Sequence, residues 1–406
     1  MAAHDLPRPR CGRYNLQHRS TRREQRIPAN ARQTEIMKKI TLSITAAIIV
    51  MVASFVILAP RLLGFSASQL DDAVAVATGM GAKLSCSGRY ISGFSDEQNL
   101  ADLASYSPAN QLLNLAYDDS GQQVTATLFG LAETTARYRP GIGCTLDIGD
   151  TAMLDQIPRQ QQAAVTAPWP AGEQAPSIDP GMQQQLDALL AEDNAAGLQT
   201  RALLVVQDGA LVAESYAEGI SAETPLLGWS MGKSVTAMML GRMETMGAAD
   251  SNASGLFEAW QEDARKDITL ENLLQMSSGL DFDEAYAPGS DATRMLFLAH
   301  SASDVALASA LAHQPGDHFS YSSGTTNLLA RWMTEQLGSP ASSADFLHSK
   351  LLAPLGMRHT VFEMDPSGVF VGSSYIYASA RDWARLGQLM LNNGEWNGEQ
   401  LLSTDW

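Results

Sequence analysis

"LLGWSMGKSV", Leu226 to Val235, answers to two catalytic patterns at once. Gly228-Trp229-Ser230-Met231-Gly232 fits G-x-S-x-G, an elbow that presents a nucleophilic serine on a sharp turn between a buried strand and a helix. Ser230-Met231-Gly232-Lys233 fits S-x-x-K, in which a lysine one helical turn on takes the serine proton. Both readings make Ser230 a nucleophile, but they require different folds and different bases. An elbow needs a central strand before it, and an acid and a histidine after it. The preceding "SAETPLLGW" contains Pro225 and has no β-branched run, which suits a central strand poorly. His300, His313, His318, His348 and His359 follow, yet no His-Gly-Gly stretch upstream supplies an oxyanion site. The lysine pattern has the better surroundings.

Of the six lysines, only Lys233 has a serine three positions earlier. Ser230 opens a helical run in which Val235, Met238, Met239 and Met243 form a buried stripe, a core face rather than a cofactor box. A serine at a helix start lies where unpaired backbone N–H groups and the positive dipole end converge. Lys233 points back along the same face. Burial and the positive helix end favour its neutral amine as acceptor of the serine proton. On the motif alone, a capping serine beside a surface lysine remains the alternative.

Charge divides the 406 residues sharply. Residues 1–61 hold 11 Lys+Arg against 3 Asp+Glu, whereas 62–406 hold 16 against 41. So acidic a body repels phosphate backbones and argues against a nucleic-acid partner. The division falls at "ITLSITAAIIVMVASFVILA", Ile40 to Ala59, twenty residues without a charge and about the length that crosses a hydrocarbon core. Basic residues before it, ending in Lys38-Lys39, predict a cytoplasmic N-terminus, a signal anchor at 40–59 and a body outside. A cleaved signal peptide is the competing reading, with "FSAS" as its cleavage site. Met37 opens "MKKITLSI" in the manner of a bacterial export segment, so the basic tail 1–39 is expected to include an upstream over-call of the start, disordered through 1–36.

Export gives the cysteines a meaning. Cys86 and Cys144 share the oxidising side and are expected to pair, a loop contributing roughly 4 kcal/mol in the chain-entropy model. The alternative is two buried free thiols. Neither has CxxC spacing or a histidine cluster nearby, so no metal site is expected.

Along the chain, 68–150 reads as a small module with a strand at "QQVTATLF", and 151–180 as a Gln-, Ala- and Pro-rich linker. Asp179-Pro180 caps a helix. "ALLVVQ" and "ALVAESYA" flank Asp208-Gly209, a hairpin signal. Helices are predicted after Ser230, at "TLENLLQM" ending at Gly279, at "TTNLLARWMTEQL", and at "SARDWARLGQLML", where Ser379 and Asp382 suit a capping box. A hairpin followed by many helices predicts an α+β fold with a helical region inserted after the first strands.

Four stretches, "LLGWSMGKSVTAMMLGRM", "LLQMSSGLDFDEAY", "PGDHFSYSSGTTNLLARW" and "GSSYIYASARDWARLGQLMLNNGEWNGEQLL", together resemble the serine hydrolases of the β-lactamase/penicillin-binding superfamily. The likeness is to the class C β-lactamase-like branch that includes 6-aminohexanoate-dimer hydrolase, and it runs from about Arg201 onward, with a looser match around Cys86 and Cys144. It implies a β-lactamase/transpeptidase-like fold over 181–406, an antiparallel sheet flanked by helices plus a helical region. The family's second motif, Y-x-S or Y-x-N, is matched by Tyr321 and Ser323; Tyr90 and Tyr377 also begin such triplets, and only the flanks of Tyr321 fit the family. The resemblance implies that Tyr321 relays a proton between Ser230, Lys233 and the leaving group. It makes Ser323 a substrate-orienting residue or a helix cap. Tyr286 becomes a lid over the substrate, and Asp291 is either a partner for a substrate amine or a turn aspartate.

The family's third motif, K-T-G or H-x-G, has no counterpart after Tyr321; His359-Thr360-Val361 comes nearest and lacks the glycine. That motif's strand normally carries the second oxyanion donor, so the expectation is a C-terminally truncated member, with turnover lowered on the order of a hundredfold or more. The combined expectation is a membrane-tethered, extracytoplasmic amidase or carboxylesterase. It would need no metal or organic cofactor, and its substrate would be a small amide or ester. The rivals are a slow-acylating or non-catalytic receptor for cell-wall fragments or β-lactams, and the elbow-type fold.

Overall fold

The computed structural model describes residues 37–51, 54, 66–160, 165–174 and 177–406. The chain divides into two units, 1–63 and 64–406. In the first, 37–51 is a helix with every residue exposed. Among the described residues no helix is long and apolar enough to cross a membrane. The basic tail at 1–36 and most of the second half of the 40–59 segment lie outside the described residues.

The second unit begins with helix α1 (Leu70–Ser87), which packs on a four-stranded antiparallel sheet of β1 (Asn114–Asp118), β2 (Gln123–Leu128), β3 (Ala132–Arg139) and β4 (Gly143–Leu146). Along the chain, α2 (Asp96–Tyr106), capped by Ser95, connects α1 to β1. The face of α1 that meets the sheet is built from small residues, so the helix lies close to the strands. Cys86 on α1 and Cys144 on β4 form a disulfide, both fully buried among Ala82, Val124, Ala126 and Ala136. The pairing expected from the compartment is made.

A buried ion pair ties this layer to the rest of the unit. Lys83 of α1 and Glu363 are 2% and 0% exposed and bond to each other. The other carboxylate oxygen accepts from Ser87 Oγ at 2.8 Å and the Cys144 N–H at 2.6 Å, and Lys83 Nζ lies 4.1 Å from the Tyr375 ring centre. Burial pushes the Lys83 amine down and the Glu363 carboxyl up, and each charge opposes the other's shift. One hydrophobic cluster runs from Val76 and Leu84 through to Leu401 and Leu402, so the 68–150 and 181–406 segments share a core.

Helix α3 (Pro180–Ala195) starts as its sequence predicts, with Asp179 accepting the Met182 N–H at 2.8 Å. The hairpin β5 (Ala202–Gln207) and β6 (Ala210–Tyr216) turns at Asp208 and Gly209, with φ of 51° and 78°. Two consecutive left-handed residues match the twist of the flanking strands. Beyond β7 (Leu226–Leu227) comes helix α4 (Met231–Thr245), then a helical region holding α5 (Asp291–Phe297), α6 (Ala302–Leu307) and α7 (Ser323–Leu337). Strands β7, β9 (Ile376–Ala378) and β8 (Thr360–Phe362) form a three-stranded antiparallel sheet with β9 in the centre. Helix α8 (Ala380–Leu391) follows. The architecture is the α+β class expected from the order of elements.

Two local expectations are corrected. The helix at "TLENLLQM" stops at Leu274, five residues before Gly279, because Met276 takes φ 56° and turns the chain out. The capping box at α8 is half made: Ser379 accepts the Asp382 N–H, but the Asp382 carboxylate does not reach back. It accepts instead from the His359 N–H and Thr360 Oγ1, both at 2.8 Å, and from Arg385 at 2.7 Å. A buried carboxylate takes the charged donor and the strand end over the weaker local bond.

Candidate active site

Ser230 is the N-cap residue of α4, yet its hydroxyl makes no capping bond. It is exposed, and its backbone lies in the right-handed region, at φ −61° and ψ −11°. The strained residue is its neighbour: Trp229 has φ 44°. An aromatic residue is rarely left-handed, and the surroundings hold it there. The Trp229 indole N–H donates to the Tyr106 hydroxyl at 3.0 Å, its ring meets Tyr106 edge-on at 5.7 Å, and its other side faces Tyr375 at 6.0 Å. Tyr106 is the last residue of α2, so the first layer of the unit sets the turn that presents Ser230. Gly232 is required by a close approach: a Cβ there would lie 2.9 Å from the Gly372 carbonyl. Its absence lets the start of α4 sit against the 372–376 segment.

The Ser230 Oγ has two side-chain partners. Lys233 Nζ lies 3.3 Å away, and the Tyr321 hydroxyl donates to it at 2.8 Å. Lys233 Nζ also lies 4.8 Å from the centre of the Tyr321 ring. No histidine contacts Ser230 among the described residues, and the strand before it is only two residues long. The elbow reading fails on both counts. The lysine has two further acceptors, Ser323 Oγ at 3.0 Å and the Ser373 carbonyl at 3.1 Å. Ser373 is fully buried and fixed through its N–H, which donates to Asn327 Oδ1 on α7 at 3.1 Å. The Ser230 N–H meets no acceptor among the described residues, and it lies at the positive end of a fifteen-residue helix.

Ser323 is buried at the first turn of α7, whose N-cap is Ser322. The helix-capping alternative for Ser323 therefore falls to its neighbour. Glu284 holds Ser323 with both carboxylate oxygens: Oε1 accepts from the hydroxyl at 2.6 Å and Oε2 from the N–H at 2.7 Å. The sequence reading missed Glu284, Ser373 and Asn327. Glu284 stands two places before Tyr286 in a loop rich in acids, with nothing in its spacing to mark it.

Tyr286 is 61% exposed, and its hydroxyl donates to Glu284 Oε1 at 3.0 Å. Partial burial of the phenol is the main cause that pushes its hydroxyl up to about 12, which keeps it a donor at neutral pH. Asp291 opens α5 and accepts the Asp283 N–H at 3.0 Å, bracing the loop that precedes the helix. Ser230, Lys233, Tyr321 and Ser323 thus meet at one point, and Tyr286 joins them through Glu284.

Chemically, the site holds an exposed hydroxyl bonded between an amine and a phenol, beside a backbone N–H with no acceptor among the described residues. That set can form a bond to an acyl carbon and move the protons this requires.

Several solved structures are similar. A Bacillus anthracis protein described as a 6-aminohexanoate-dimer hydrolase is 24% identical over 62% of this chain and 67% of its own, with a TM-score of 0.47. FmtA from Staphylococcus aureus is 17% identical over 58% and 72%, at 0.45. The D-amino acid amidase of Ochrobactrum anthropi SV3 is 17% identical over 55% and 72%, at 0.42. No curated protein matches. The family model described as Beta-lactamase matches residues 182–406, more than half of the sequence and the whole of the Ser230 site, and the chain belongs to that family.

Proposed function

We propose that this chain is a serine hydrolase of small amides or esters that works through an acyl-enzyme on Ser230. The observation that carries this reading is the sharing of one exposed hydroxyl by Lys233 at 3.3 Å and Tyr321 at 2.8 Å. Lys233 Nζ takes the Ser230 proton as Oγ bonds to the substrate carbonyl carbon. The oxygen of that carbonyl becomes the oxyanion, and the Ser230 N–H donates to it. Tyr321 hands its proton to the leaving amine or alcohol as the carbon–heteroatom bond breaks, and is reprotonated from Lys233. Water then attacks the acyl carbon, loses its proton to the same pair, and releases the acid with Ser230 restored.

Intact mass after reaction with a fluorophosphonate tests this on wild type, Ser230→Ala and Lys233→Ala. One adduct on the wild type, lost in both variants, is expected. No adduct, or one that survives Lys233→Ala, sinks the mechanism. An ester substrate separates enzyme from receptor: repeated turnover is expected, whereas a single acylation that never releases would make the chain a receptor.

We further propose that 40–59 tethers this domain on the outer side of the cytoplasmic membrane. The basic flank before the segment and the Cys86–Cys144 bridge, a bond that persists in oxidising compartments, support it. Protease added to intact spheroplasts should digest the domain. Protection from the protease would overturn the placement.

A further inference from the structure

The three acceptors around Lys233 are not equivalent. A neutral primary amine has two N–H groups and one lone pair, and it can act as base toward Ser230 only with the lone pair on Oγ. The other two directions must then both be acceptors. The Ser373 carbonyl at 3.1 Å can only accept. Ser323 Oγ at 3.0 Å is a hydroxyl, which can also donate. Were it to turn its proton toward Lys233, it would occupy the lone pair and disable the base.

Glu284 removes that choice. A carboxylate only accepts, so the 2.6 Å bond to Oε1 commits the Ser323 proton away from Lys233. The 2.7 Å bond from the Ser323 N–H to Oε2 fixes the carboxylate against the first turn of α7, where a negative charge is favoured. Ser323 is wholly buried, so no water competes for its rotor. We infer that Glu284 is a positioning residue: it locks Ser323 as an acceptor and thereby aims the Lys233 lone pair at Ser230. The inference rests on the Ser230–Lys233 reading above.

The test is the rate at which the full chain reacts with a neutral alkyl fluorophosphonate, resolved into KI and kinact, for wild type, Glu284→Gln, Ser323→Ala and the double variant. The probe carries no amine, so a loss cannot come from recognition of a substrate ammonium by the carboxylate. A glutamine oxygen accepts from only one of the two Ser323 donors and its NH2 opposes the other, so the clamp is broken. For Glu284→Gln, kinact should fall about tenfold or more with KI unchanged. The double variant should lose no more than the larger of the two single losses, because with Ser323 removed there is no rotor left to lock.

Should Glu284→Gln unfold, Glu284→Asp replaces it, keeping the charge but lacking the reach to hold both donors, with the same expected loss. Wild-type kinact in the folded variant, losses that multiply in the double variant, or a change confined to KI would each overturn the inference. A wild type that takes no adduct, or a Lys233→Ala variant that reacts at the wild-type rate, would overturn the underlying mechanism and this inference with it.

Discussion

The Tyr321 hydroxyl donates to Ser230 Oγ at 2.8 Å across 91 residues of chain, while its ring stays 4.8 Å from Lys233 Nζ. The two contacts separate the phenol proton from the packing of the ring. Tyr321→Phe keeps the ring and removes the proton, so its effect should depend on the leaving group. Cleavage of an anilide, whose nitrogen must be protonated to leave, should fall by about 10²–10⁴ in kcat/KM. A 4-nitrophenyl ester of the same acid should fall by less than about tenfold, because its phenolate leaves without a proton. Equal losses for the two substrates would assign the Tyr321 hydroxyl to orienting Ser230 rather than to protonating the leaving group.

Lys83 and Glu363, 2% and 0% exposed, join α1 to the segment after β8. Lys83→Met leaves a buried carboxyl without this cation, and should cost about 3–5 kcal/mol in denaturant unfolding. Lys83→Met with Glu363→Leu removes both charges and should be less destabilised than Lys83→Met alone. A double variant weaker than the single would show that the pair itself stabilises the fold.

Gly143 and Gly130 separate backbone strain from collision. Both are left-handed, at φ 73° and 70°. A Cβ on Gly130 meets nothing within 4 Å, but one on Gly143 would lie 2.5 Å from Glu363 Oε1. Gly130→Ala should cost about 1 kcal/mol, the price of the conformation. Gly143→Ala should cost about 3 kcal/mol or more, because it also dislodges a buried carboxylate. Thermal midpoints compare the two, and similar shifts would mean that Glu363 moves aside freely.

Glu214 on β6 gives a pH dependence with a definite sign. Burial disfavours its carboxylate, but hydrogen bonds from Arg381 at 2.8 Å and Tyr216 at 2.6 Å outweigh this and hold it below its ordinary range. A carboxyl lowered in the folded state contributes stability above its unfolded value, near 4.5, and loses it as pH falls through the folded one. Glu214→Gln should therefore be less stable than wild type at pH 7, with the gap closing below about pH 4.5. A gap constant with pH would refute the ion pair's contribution.

Much of the fold was legible from short windows. The Asp179 cap, the Asp208-Gly209 turn and the buried stripe of α4 follow from contacts within four residues, and such contacts depend on residue type and spacing alone. The pairing of Cys86 with Cys144 was legible for a different reason, since only two cysteines follow the 40–59 segment. Asp382 shows the limit: its spacing from Ser379 suits a capping box, and half-buried partners more than twenty residues away, His359 and Thr360, took its carboxylate instead.

By itself, then, the sequence determined that Ser230 and Lys233 meet. One helical turn places them on one face whatever the helix packs against. Tyr321 was singled out among three Y-x-S triplets only through its flanking residues, since the triplet carries no periodicity. Tertiary structure alone decided the rest. Glu284 stands 39 residues before Ser323, and the Ser373 carbonyl 140 residues after Lys233. A backbone carbonyl has no residue identity to read, and a carboxylate in an acidic loop looks like its neighbours. Such groups acquire a role when packing brings donors from distant parts of the chain within their reach.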